Sequence, residues 1–192
     1  MFKNLFRRQL PGTVDSVGPA DFPELDTAAE LLTAPSAMMQ LSLAEARAVA
    51  RYMRPRFIRE GTVFICEGDA EGTGFMVLVL DGEVTVENIV VSRVSPITVT
   101  VLGAGSMHGE LGLIDGLPRS ASCTASSDLH CVTLTREGML QLLKDEPKLG
   151  AKLMMAIAMS VAGRLRDNTE KLKKYVQLTM AMQQEIDHLM PA

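Results

Sequence analysis

Between Phe57 and Leu134 the chain breaks into short β-prone runs closed by glycine or polar turns, with few windows of helical period. The runs are Val63 to Cys66, Phe75 to Leu80, Glu83 to Val91, Ile97 to Leu102, Ala121 to Ala125 and Leu129 to Leu134. Strands this short and this regularly interrupted pair with their neighbours, which predicts an antiparallel roll or barrel. Asp81-Gly82 lies between two of the runs and predicts a tight hairpin, because glycine tolerates positive φ there. The fold class expected is mainly β with flanking α.

The flanks differ in texture. Residues 11–37 mix Pro11, Gly12, Gly18, Pro19, Pro23 and Pro35 with small residues and keep only a short helical pattern around Thr27 to Leu32. That composition predicts an extended arm over residues 1–40. Ser42 followed by Glu45 fits a capping box and opens a helix from about Leu43 to Met53, ending before Pro55. After Thr135 the helical period returns, first from Gly138 to Lys144 and then, past Pro147, over a long segment. Ala158, Val161, Leu165, Asn168, Leu172, Tyr175, Thr179, Met182, Ile186 and Leu189 follow alternating steps of three and four, a heptad seam. Near residues 149–157 the helix has its own roll to pack on. Beyond about residue 165 the roll is too small to cover the stripe, so a partner helix and a parallel homodimer are expected. The organisation is an arm (1–40), a β-roll with its N-terminal helix (41–147) and a long dimerisation helix (148–192).

Composition narrows the function. A net charge of −4 argues against a broad basic face that grips nucleic acid, so an anion site here must be small and local. Cys66, Cys123 and Cys131 are odd in number and form no C-x-x-C pair, which excludes a zinc ribbon and a closed disulfide framework and fits a reducing cytoplasm. Residues 1–8 are basic and apolar, but no apolar stretch of signal-peptide or membrane-span length follows.

The chemistry concentrates between Leu102 and Ala121. This stretch is glycine-rich, yet it holds helix-compatible Glu110 to Ile114, an Asp115-Gly116 turn and one arginine, Arg119. A glycine-flanked turn of helix exposes unpaired backbone amides that hold an anion, and Arg119 supplies the matching charge. Glu110 fits beside an anion site if the ligand also presents sugar hydroxyls that donate to it.

Gly109-Glu110-Leu111 through Pro118-Arg119-Ser120-Ala121 resembles the phosphate-binding cassette of cyclic-nucleotide-binding domains, as in bacterial cAMP receptors and protein kinase regulatory subunits. The resemblance runs from about Leu41 to Leu172 and includes Gly61, Glu67-Gly68-Asp69, Asp81-Gly82-Glu83 and Leu102 to Gly105. It implies a jelly-roll-like β-roll with a short cassette helix. The cyclic phosphate would bond to Arg119, to amides after Gly109 including that of Leu111, and to the side of Ser120 and Ala121. Glu110 would accept from the ribose 2′-hydroxyl. His108 departs from the aromatic or aliphatic residue common before the Gly-Glu pair; packing or solvent exposure is expected for it rather than pH sensing.

Arg164 to Lys171 resembles the dimer-helix segment of bacterial cAMP receptors, and by that match Asn168 and Thr169 touch the base, one from each subunit. The ligand implied is cAMP; cGMP stays open, because a hydroxyl directly after Arg119 can assist guanine. The resemblance implies a sensor without catalysis, cofactor or metal, acting through a downstream protein that the sequence does not name. Direct DNA binding is not expected, since the chain ends about 20 residues beyond the match. Two alternatives stand beside it. One is a cupin-like metal enzyme using His108 and Glu110, for which the other histidines are His130 and His188. The other is a degenerate domain that binds no nucleotide and serves as a structural dimer.

Overall fold

The computed structural model describes residues 23–33, 41–88 and 97–189, so the expectations for residues 1–22 and 34–40, and for the end of the Glu83 to Val91 run, lie outside the described residues. The element order is α1 (Pro23–Thr33), α2 (Leu43–Ala50), β1 (Arg54–Ile58), β2 (Val63–Ile65), β3 (Phe75–Asp81), β4 (Val84–Asn88), β5 (Ile97–Leu102), β6 (Met107–His108), α3 (Glu110–Asp115), β7 (Ser122–Ala125), β8 (Leu129–Thr135), α4 (Arg136–Asp145) and α5 (Pro147–Leu189). Two four-stranded antiparallel sheets, ordered β1-β8-β3-β6 and β2-β7-β4-β5, face each other as the expected roll.

The core has two layers because β3 is buried on both faces, which is why its sequence is continuously apolar rather than alternating. Val77 and Val79 point into the roll with Ile58, Phe64, Ile65, Val84, Leu129 and Cys131. Met76, Leu78 and Leu80 point the other way, under a helical layer that includes Ala28, Leu32, Val49, Leu142, Leu153 and Ile157.

Part of the expected arm is a helix instead. Pro23 is tolerated at the first helical position, where its missing N–H costs nothing, and Ala28, Ala29 and Leu32 are fully buried in the helical layer. An Asp26–Arg47 pair at 3.1 Å ties α1 to α2. The capping box forms as read: the Glu45 N–H donates to Ser42 Oγ at 3.3 Å and the Ser42 N–H donates to Glu45 Oε2 at 2.7 Å. α2 ends at Ala50, short of Met53, because the chain must turn into β1.

Asp81-Gly82 is not a hairpin. Gly82 does take a positive φ of 94°, but β3 and β4 belong to different sheets, so the turn is a corner between them. β8 claims β3 as its partner, from Phe75 opposite Thr135 to Asp81 opposite His130. A second corner, Ser126 to Asp128, joins β7 to β8 beside the first. The Glu83 N–H donates to Ser127 Oγ at 3.0 Å and the Ser126 N–H donates to the Glu83 carbonyl at 2.8 Å, so the two corners brace each other.

α5 spans 43 residues, about 64 Å at 1.5 Å per residue. It buries Leu149, Leu153, Ala156 and Ile157 against the roll, while every residue from Arg164 to Ile186 is exposed.

Candidate functional site

The cassette is a six-residue helix held between two glycines in the left-handed region, Gly109 at φ 83° and Gly116 at φ 70°. Positive φ at both ends lets the chain enter and leave one and a half turns of helix abruptly. Close packing fixes the glycines as well: a Cβ on Gly109 or on Gly112 would stand 2.7 Å from the Arg119 guanidinium.

Arg119 is 6% exposed. Its Nη1 donates to the Gly109 carbonyl at 2.8 Å and its Nη2 to the Phe75 carbonyl at 3.1 Å, with the guanidinium 4.3 Å from the centre of the Phe75 ring. The main chain of Arg119 is pinned to the loop after β2, N–H to the Asp69 carbonyl at 3.0 Å and carbonyl to the Gly68 N–H at 2.8 Å. Burial lowers its pKa, but arginine stays cationic. The buried charge thus rests on neutral carbonyls and a ring face.

Glu110, 3% exposed, faces the same space, and its Oε1 accepts from Nη2 of Arg164 on α5. This ion pair joins the cassette to the long helix across 54 positions of sequence. His108 is 5% exposed, so burial rather than solvent exposure is its environment. Ser106 donates its hydroxyl proton to the Gly103 carbonyl at 2.6 Å, so its oxygen accepts from His108 Nε2 at 2.9 Å. Burial first, and then the Arg164 charge, push the His108 pKa down to about 4, which keeps the ring neutral near pH 7. His130, by contrast, stacks edge-on with Phe57 at 5.0 Å on the outside of β1 and β8. Cys123 is a buried thiol whose pKa burial pushes up to about 12.

Arg119, Glu110, Arg164, His108 and Cys123 border one cavity of about 600 Å³. Its floor is Ile65, Val86 and Cys123, its side is the cassette, and its open wall is α5 through Val161, Arg164, Leu165, Asp167, Asn168 and Lys171. The size lies in the range of small-molecule sites. Of the residues the sequence singled out, Gly109, Glu110, Leu111, Arg119, Ser120, Ala121 and Asn168 come together in its lining. Thr169 does not: it sits on the neighbouring face of α5, where its hydroxyl donates to the Leu165 carbonyl at 2.8 Å. Arg164, Asp167 and Lys171 line the cavity as well, and their mutual separations of three, four and seven residues put them on one helix face, a signal the sequence carried.

The site therefore offers a buried cation beside helix amides, a buried carboxylate one step away, and a polar helix wall beyond. Among known families, a model described as "Cyclic nucleotide-binding domain" matches residues 55–146. The chain is similar to the crystal structure of a cyclic nucleotide-binding domain from Methylobacillus flagellatus KT, with 29% identity, a TM-score of 0.69, and 78% of this chain and 85% of that one covered. It is also similar to the catabolite activator protein of Thermus thermophilus, with 27% identity, a TM-score of 0.62, and 73% and 62% covered. Two curated relatives are larger proteins. A cyclic nucleotide-gated potassium channel of Rhizobium etli is 28% identical over 120 residues, 62% of this chain and 31% of the channel. A cAMP-dependent protein kinase regulatory subunit of Yarrowia lipolytica is 34% identical over 99 residues, 52% of this chain and 25% of the subunit. The chain thus spans between a quarter and a third of these curated relatives.

Proposed function

The chain belongs to the cyclic nucleotide-binding domain family through residues 55–146, and from that premise we propose that it is a dimeric sensor of a cyclic nucleoside monophosphate. The observation that carries the reading is Arg119, a cation 6% exposed at the wall of a 600 Å³ cavity with carbonyls for acceptors. The cyclic phosphate meets Arg119 and the cassette amides, and Ser120 and Ala121 close that side. The ribose 2′-hydroxyl donates to Glu110, which shares its carboxylate with Arg164. The base extends toward Asn168, whose amide donates and accepts. cAMP is the ligand that the resemblance favours, with cGMP its competitor.

The site holds and orients; it needs no resident metal or cofactor for that work, and no bond is made or broken. The output is the arrangement of α5. Leu165, Leu172, Tyr175, Met182 and Ile186 on its seam are 49–67% exposed, which supports pairing with the same helix of a second copy. Among the described residues no helix is long and apolar enough to cross a membrane. Cys66, Cys123 and Cys131 are free thiols, in keeping with a reducing compartment, and a downstream protein rather than DNA is the proposed recipient of the signal.

Calorimetric titration with cAMP and cGMP, on protein refolded to remove carried-over ligand, tests the reading. Saturable binding of either, lost in Arg119→Ala, supports it. The Glu110–Arg164 pair gives the degenerate reading a specific footing, since Glu110 already has a partner. Absence of binding by both nucleotides would favour that second reading.

A further inference from the structure

We propose that Arg136, the first residue of α4, holds the cassette in its anion-binding shape before any ligand arrives. The inference rests on the nucleotide-sensor reading, but the residue itself lies outside the cavity lining.

A helix of six residues does not support itself, because nucleation is unfavourable and so few turns return little. Its last carbonyls also need partners from elsewhere. Arg136 reaches two of them: Nε donates to the Leu113 carbonyl at 3.1 Å, and Nη2 donates to the Gly112 carbonyl at 3.0 Å beside the Gly116 N–H. A cation at this end also matches the helix dipole, whose positive end faces the cavity. The other arginine on the cassette, Arg119, bonds to the Gly109 carbonyl at the opposite end, and it is the group an incoming phosphate would engage. Arg136 stands outside the cavity lining, so a ligand there does not compete for its donors.

The surroundings are arranged around this side chain. Arg136 is fixed to the roll through its N–H, which donates to the Gly74 carbonyl at 2.7 Å. A Cβ on Gly116 would stand 3.0 Å from the guanidinium, and one on Gly74 would stand 3.3 Å from Cβ of Arg136. Thr73 adds a second hold, its hydroxyl donating to the Gly116 carbonyl at 3.3 Å. With the helix set in advance, binding does not have to order it, and that ordering cost is a common tax on affinity.

Hydrogen exchange on the full chain, without ligand and with saturating cAMP or cGMP, reads this directly at two amides. The Leu113 N–H donates to the Gly109 carbonyl and the Gly116 N–H to the Gly112 carbonyl, so both report an intact cassette. In the parent their protection should be nearly the same with and without nucleotide. In Arg136→Met it should fall about tenfold or more without ligand and recover when nucleotide binds, with affinity weakened about tenfold, since local opening is paid at binding. Arg136→Lys should rescue part of both, and Arg136→Gln gives a second variant if the methionine form does not fold. Parent-like protection in ligand-free Arg136→Met, or a loss spread equally over β3 and β8, would overturn the proposal. If the parent binds no nucleotide, the sensor reading fails, while the ligand-free comparison still decides what Arg136 does.

Discussion

A buried guanidinium that rests on carbonyls is poised to gain from a phosphate, and that makes Arg119 the residue whose loss is felt most. Arg119→Ala should weaken nucleotide binding by ~2–5 kcal/mol, because the phosphate is left buried without its partner. That is about 30-fold to several thousand-fold in Kd at 1.4 kcal/mol per decade, readable by titration. Glu110→Gln should cost ribonucleotides more than their 2′-deoxy analogues; equal losses would remove Glu110 from sugar recognition. His108 sets a pH dependence of stability rather than of sensing. Its folded pKa of about 4 lies below the ordinary 6.5, so between those values the unfolded chain takes up a proton that the folded chain refuses. The His108 contribution to stability should therefore fall by about 3 kcal/mol as pH drops from 6.5 to 4, at 1.36 kcal/mol per unit, and that contribution levels off below. Urea midpoints across that window should show the slope, and His108→Gln should flatten it. Arg119 and Glu110 were legible in the sequence because glycine spacing and a lone arginine are local signals. The Glu110–Arg164 pair was not, since it joins residues brought together only when α5 crosses the cavity.

Among the elements, α5 poses the clearest energetic problem: a stripe from Leu165 to Ile186 that its own roll leaves exposed. Leu172→Asp with Ile186→Asp should give monomers by light scattering, because each paired helix would bring two unpaired charges into the seam. A monomeric parent at micromolar concentration would defeat the dimer proposal. The same element was the easiest to read, since a seam repeats the same signal every few residues. The strands were legible as runs and less so as neighbours. Asp81-Gly82 looked like a hairpin because a turn signal reports a change of direction, not the sheet into which the next strand goes. β1 is absent from the β-prone runs because Arg-Pro-Arg-Phe-Ile has a proline and two charges in five residues; as an edge strand it has room for Pro55, which has no N–H to give. α1 showed only as the short helical pattern around Thr27 to Leu32, because the prolines and small residues around it hid the burial of Ala28, Ala29 and Leu32 until a sheet face was there to receive them.

For the whole molecule, the cavity has one wall on the roll and cassette and the other on the helix that carries the seam. A ligand touching both walls has a different energy when the helix moves, and only such a difference can shift an equilibrium. If the coupling lies in the usual range of about 1–3 kcal/mol, dimerisation and nucleotide binding should change each other by the same factor of roughly 5 to 150. Nucleotide affinity measured across a dilution series that spans the dimer dissociation constant tests this. Asn168→Ala should lower the factor by removing a contact from a protomer's own cavity, while Thr169→Ala should act only once the partner is present. Equal affinity in monomer and dimer would show that the helix pair does not feel the ligand. The unbroken length of α5 gives such a coupling reach. Ile157 is the last buried residue among those of α5 whose burial is described, and from there to Leu189 the helix extends about 48 Å at 1.5 Å per residue. It is a lever with its fulcrum on the roll: a tilt of about 10° at the cavity would swing the far tip through roughly 8 Å, a displacement wider than the rise of one helical turn.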